Sequence, residues 1–130
     1  MKLVLGVGCD RGVSLETLST AVDRALAEIG ATRRAVVAVA SIDKKSDETA
    51  LLQLADQQGW PLHFYPALDL AEVDVPSPSA VVLKYMGTPS VAEAAALLAA
   101  DTTMKDLLVE KYKFLGTDGK NATMSVVRGQ

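Results

Sequence analysis

Leu3-Val4-Leu5-Gly6-Val7-Gly8-Cys9-Asp10-Arg11-Gly12-Val13-Ser14 is the stretch that decides the fold. It begins as a short apolar run bounded by glycines, the pattern of a buried strand. A loop follows, and Ser14 stands where a helix needs its N-cap. Leu15, Leu18, Val22, Ala25, Leu26 and Ile29 then recur at helical spacing, and Gly30 supplies the stop. Ala35-Val36-Val37-Ala38-Val39-Ala40 is a second apolar run of strand length. Strand, loop, capped helix and strand are the opening of an alternating α/β chain.

The rest of the sequence continues that alternation. Ser41-Ile42-Asp43-Lys44-Lys45-Ser46 leads into a second expected helix over 47–58, capped by Gly59. Pro61 to Tyr65 is a third strand candidate, and 67–73 a short helical turn. Val75-Pro76-Ser77-Pro78-Ser79 is too short for an interdomain linker and reads as a loop ending at a helix start. Ala80-Val81-Val82-Leu83 favours strand by its valines. Ser77 as cap, Pro78 at the first helical position and Gly87 as stop favour helix instead, and helix is the expectation. Ser90-Val91-Ala92-Glu93 forms a capping box for a helix reaching about Ala100. Residues 107–114 and 122–127 are strand-like, with Thr117-Asp118-Gly119-Lys120 as the turn of a closing hairpin. The expected architecture is one domain over residues 1–130. It is a three-layer α/β/α sandwich with a mostly parallel sheet and a C-terminal antiparallel hairpin.

Composition narrows the function classes. The chain has 130 residues, about half of them apolar, enough for one core. A net charge of −3 argues against a bulk nucleic-acid binder. No apolar run approaches the roughly 18 residues of a membrane span. Asp10 and Arg11 arrive too early for a signal-peptide core. The single cysteine, Cys9, cannot form an internal disulfide and fits a reducing compartment, so the cytoplasm is the expected location. No cluster has metal-ligand spacing, and the residues imply no cofactor.

Ligands of open α/β sheets bind outside the carboxyl ends of the strands. The loops Gly8-Cys9-Asp10-Arg11-Gly12 and Ser41-Ile42-Asp43-Lys44-Lys45 should share that rim. Each carries cations and leads to a helix start, whose amides and dipole attract anions. Such a rim suits a carboxylate-rich or phosphate-rich ligand. The plainer reading of the first loop is a tight strand-to-helix turn. A dinucleotide site is the weaker reading, because Arg11 occupies the place of the third glycine of a GxGxxG match. Cys9 could be a nucleophile at a helix start, but a packing role is favoured. His63, the only histidine, reads as structural. Lys44 and Glu48 have the spacing of an i,i+4 ion pair. Lys111 and Lys113 alternate on a strand and so share a face, by default a solvated one. No general base stands out, so no catalytic residue is assigned.

Taken together, the motifs resemble the CobE and CbiG carboxy-terminal domain family of cobalamin biosynthesis. Gly6-Val7-Gly8-Cys9-Asp10-Arg11-Gly12 is similar to the opening loop of that domain. Ala40-Ser41-Ile42-Asp43-Lys44-Lys45 with Glu48 is similar to its second signature. Pro78-Ser79, Gly87 and Ser90-Val91-Ala92-Glu93 resemble its third, and Lys111 to Lys113 with 122–128 resemble its closing strands. Asp10 departs from the pattern, which more often has a second basic residue there. The ending Ala122-Thr123-Met124-Ser125 is a looser match. The resemblance implies a precorrin or corrinoid ligand and other enzymes of the pathway as partners. The implied contact residues are Gly8, Cys9, Arg11, Gly12, Ser41, Lys44, Lys45, Glu48, Ser90 and Lys111. CbiG itself resembles a hydrolase that opens a cobalt-precorrin lactone and releases acetaldehyde. The resemblance implies the pathway more firmly than that reaction, since this chain matches only the last domain.

Overall fold

Strands that are apolar on both sides need a layer of helices on each face. The computed structural model, in which residues 1–75 and 91–129 are described, has that arrangement. The elements are β1 (Leu3–Cys9), α1 (Leu15–Ala27), β2 (Val36–Ile42), α2 (Thr49–Gln58), β3 (Leu62–Tyr65), α3 (Ala67–Ala71), α4 (Val91–Ala100), β4 (Leu107–Leu115) and β5 (Asn121–Arg128). They form a sheet in the order β3-β2-β1-β5-β4. β1, β2 and β3 are mutually parallel, and β5 is antiparallel to both β1 and β4. β4 therefore runs in the same direction as β1, β2 and β3. The sheet is mostly parallel, with β5 reversed.

The alternation of β1 divides the core in two. Leu3, Leu5 and Val7 pack with Leu18, Val22 and Leu26 of α1 and Leu51 and Leu54 of α2. Val4 faces the other side, with Ala40 and Ile42 of β2, Leu70 of α3 and the alanines of α4. Gly6 also points toward α4. A Cβ there would lie 1.8 Å from the Ala92 carbonyl oxygen, so the absence of a side chain is what lets the helix backbone touch the strand. The run of alanines in α4 has the same consequence, a thin layer seated close to the sheet.

The punctuation signals locate most ends. The Ser14 side chain accepts from the Thr17 amide at the start of α1. Gly59 closes α2 with φ of 71°. Gly119 turns the β4–β5 hairpin with φ of 77°. Three expectations need revision or fall outside the view. The helix α2 begins at Thr49, not 47, because Asp43–Lys45 forms a separate 3-10 turn. Lys44 and Glu48 consequently do not share a helical face. The expected helix over 77–86 and the cap at Ser90 lie outside the described residues. Among the described residues, no helix is long and apolar enough to cross a membrane.

Candidate functional site

The carboxyl ends of β1, β2, β3 and β4 and the start of β5 meet at one rim, as the strand directions require. The two loops singled out in the sequence are joined there by direct bonds. Arg11 donates from Nη1 to Asp47 Oδ1 at 2.6 Å and from Nη2 to the Lys44 carbonyl at 2.6 Å. Glu48, 4 % exposed, accepts the Gly12 amide on Oε1 at 2.9 Å. Its Oε2 approaches Arg11 Nη1 at 3.2 Å without hydrogen-bond geometry. The Glu48 carboxylate therefore turns toward the first loop rather than toward Lys44. Arg11 and Asp47 stabilise each other's charge, raising the one pKa and lowering the other.

A second set of bonds ties the rim to the hairpin. Asp10 accepts the Asn121 amide at 2.7 Å and the Asn121 side-chain amide at 3.0 Å, which lowers its pKa. Asp118, in the hairpin turn, accepts the Ser14 amide at 2.8 Å and the Thr17 hydroxyl at 2.9 Å. A carboxylate thus already occupies the N-terminus of α1, where a dinucleotide fold would hold its pyrophosphate. The amides of Asp10, Gly12, Val13 and Ser14 are all bonded within the protein. The first loop accordingly presents few amides to a ligand, contrary to the anion-binding expectation for it.

Asp118 sets an acid-sensitive contribution to stability. Its amide and hydroxyl donors hold its pKa down, from the ordinary 3.8 to about 2. A depressed carboxylate pKa stabilises the fold above the unfolded value, and that contribution disappears as pH falls through the folded value. Between about pH 4 and about 2 the wild type should lose stability more steeply than Asp118→Asn. Urea midpoints measured across that window check this, and parallel curves for the two proteins would contradict it.

The remaining candidate residues have distinct settings. Ser41 is buried and donates its hydroxyl to the Val7 carbonyl at 2.6 Å, linking β2 to β1. Cys9 is half-buried against the α1 side of the core, and burial pushes its thiol up to about 11 against the opposing charge of Lys45. At neutral pH it is therefore a protonated thiol, in line with packing rather than nucleophilic attack. His63 is exposed on the edge strand β3. Lys111 has its Nζ 3.6 Å from Oε1 of the fully buried Glu93 in the first turn of α4. This places Lys111 on the α4 side of the sheet, partly covered rather than freely solvated.

Gly12, equally open, sits in the loop at a positive φ of 80°, whereas Gly8 is the open glycine within the strand. Among the described residues, the nearest atom to an added Cβ is the Thr123 Cβ at 3.9 Å. Thr123 pairs with Gly8 in β5, and Lys113 of β4 pairs with Thr123. Gly8, Thr123 and Lys113 thus form a row across three strands on the α4 side. Lys44 and Lys45 approach the same rim from the end of β2, and Lys45 is close enough to act on Cys9, Asp10 and Asp47. Glu48 and Asp118 as loop anchors, and the open side of Gly8 among the described residues, were not visible in the sequence. Asp-Gly in a hairpin turn marks Asp118 as a turn residue, but nothing local points to Ser14.

Known proteins match this chain along nearly its whole length. Residues 3–127 match the family described as Cobalamin synthesis G C-terminus. A cobalt-precorrin-5A hydrolase of Priestia megaterium is 34% identical over 109 residues, covering 84% of this chain and 29% of that protein. Protein CobE of a Sinorhizobium species is 40% identical over 100 residues, covering 75% of this chain and 65% of that protein. The chain thus spans less than two thirds of each of these relatives. The crystal structure of CobE, a protein from the cobalamin (vitamin B12) biosynthetic pathway, superposes with a TM-score of 0.80 at 36% identity, covering 97% of this chain and 93% of that one. The order of motifs, the sheet topology and the family match agree, and the chain belongs to the cobalamin synthesis G C-terminal family of cobalamin biosynthesis proteins.

Proposed function

We propose that this domain binds a carboxylate-rich precorrin or corrinoid intermediate at the carboxyl rim of its sheet, on the α4 side. The observation that carries this reading is the strand end at Gly8, open on that side among the described residues. Glycine inside a strand weakens it and often marks a close approach by a backbone or a ligand. At Gly6 the approaching group is the Ala92 carbonyl; at Gly8 no described atom takes that place. A large flat ring needs such a side-chain-free ledge. Corrin precursors combine that ring with peripheral carboxylates, which Lys44, Lys45 and Lys113 would receive, with Lys111 beside them turned toward Glu93. Arg11, Gly12, Glu48, Ser41 and Cys9 support the ledge by joining and packing the loops beneath it. Ser90 is a contact that the family resemblance alone implies. Other enzymes of the pathway would deliver and collect the intermediate.

The hydrolase relative favours a second reading, in which the domain opens a lactone on a cobalt-precorrin with release of acetaldehyde. That reaction requires a base or nucleophile. The protonated Cys9 and the doubly engaged Glu48 are poor candidates, which supports binding without turnover. Visible-absorbance titration with cobyrinic acid tests the proposal. The wild type should show saturable binding, and Lys45→Ala with Lys113→Ala should weaken it by roughly a hundredfold, about tenfold for each lost charge-assisted contact. An unchanged affinity in the double variant would overturn the assignment of these lysines. Aldehyde release from a lactone-bearing cobalt-precorrin incubated with the protein would move the reading to the hydrolase.

A further inference from the structure

The end of the sheet opposite the rim carries a separate cavity of about 440 Å³, lined by Arg33, Arg34, Val36, Val37, Gln58, Gly59 and Trp60. Its walls come from the start of β2, the turn before it, and the chain between α2 and β3. β2 is seven residues long, so this cavity and the rim are separated by about 20 Å. The volume lies in the usual range for small-ligand sites.

Three features fit the cavity to one kind of occupant. The first is a bulge. Leu3 pairs with Val36 and Val4 with Ala38, so Val37 is an extra residue in β2. Bulges re-aim side chains, and Val37 is left 42 % exposed while Val36 and Val39 are buried. The second is Trp60, buried to 8 % exposure and contributing an apolar aromatic wall. The third is the difference between the two arginines. Arg33 is held by Asp23, with Nε 2.7 Å from Oδ1, and donates to the Ser19 hydroxyl. Arg34 is exposed and makes no ion pair with any described residue. An uncommitted guanidinium beside an aromatic wall and an outward-turned valine matches a flat apolar body bearing one carboxylate. The planar fork of Arg pairs with two oxygens of a carboxylate or a phosphate, and one guanidinium balances the single charge of a carboxylate but not the two of a phosphate monoester.

We infer that this cavity is a second binding site, independent of the rim, for a small flat carboxylate, with Arg34 holding the anion and Trp60 and Val37 the ring. Trp60 is the only tryptophan, so its fluorescence reports on this site and not on the rim. The test is a fluorescence titration with 4-nitrobenzoate, whose nitroaromatic ring quenches indole, beside the neutral 4-nitrobenzamide and 4-nitrophenyl phosphate. The expected result is saturable quenching by 4-nitrobenzoate, at least tenfold weaker for the amide and for the phosphate, and at least tenfold weaker in Arg34→Ala. Arg34 is exposed, so that variant should fold, and an unchanged far-UV spectrum verifies it. Linear quenching that is equal for the acid and the amide, or affinity unchanged in Arg34→Ala, would overturn the site. Tighter binding of the phosphate would overturn its assignment to carboxylates.

Discussion

Gly6→Ala should destabilise the domain by about 3 kcal/mol or more, toward the upper end of overpacking effects. At this chain length that lowers Tm by roughly 10 °C. The cause is local and severe. The new Cβ would lie 1.8 Å from the Ala92 carbonyl oxygen and 2.7 Å from its carbon, with the Ala96 Cβ at 2.9 Å. Two of these atoms are backbone, so no rotamer change can relieve the contact. α4 must move off the sheet, and its alanines contact β1, β2 and β5 along the helix. Thermal unfolding of wild type and variant measures the loss. A Tm within a few degrees of wild type would mean that α4 does not seat on Gly6.

Glu48→Ala should cost about 2–3 kcal/mol, while Glu48→Gln should recover much of that loss. The buried carboxylate accepts the Gly12 amide and neutralises the underside of Arg11. Removing it leaves a part-buried amide without its acceptor and opens the junction between the β1 and β2 loops. Glutamine keeps an oxygen for the amide and loses only the charge. Arg11 is largely solvated, so the lost ion pair is the smaller part. Denaturant midpoints for the three proteins separate the two contributions. The same variants bear on chemistry: a hydrolase using Glu48 as base would lose its rate in Glu48→Gln although the fold persisted.

The elements were legible in the sequence because their signals are local. Ser14, Gly59 and Gly119 act on residues within a turn of themselves, and the apolar runs of β1 and β2 need no distant context. The anchors of the rim were not legible, because they join residues far apart. Gly12 and Glu48 are 36 positions apart, Ser14 and Asp118 104, and Asp10 and Asn121 111. Asp10, noted only as a departure from the family pattern, holds the hairpin. Lys44 and Glu48 were read as helical neighbours from spacing alone. The 3-10 turn at Asp43–Lys45 breaks that periodicity and frees Glu48 to turn to the first loop. The two glycines of β1 were read as strand boundaries. Only the position of α4 shows that Gly6 serves packing, while among the described residues Gly8 has no such neighbour.

That division between the two glycines gives the most direct test of the proposed ligand site. Gly8→Val adds a residue that suits a strand, and among the described residues its Cβ meets only Thr123 at 3.9 Å. The measurement is a visible-absorbance titration of wild type and Gly8→Val with cobyrinic acid, with Tm recorded for both. The expected result is saturable binding by the wild type, a Tm in Gly8→Val close to that of the wild type, and at least a tenfold loss of affinity in the variant. Equal affinity in a folded Gly8→Val, or no binding by the wild type, would contradict a corrin-binding ledge at the end of β1.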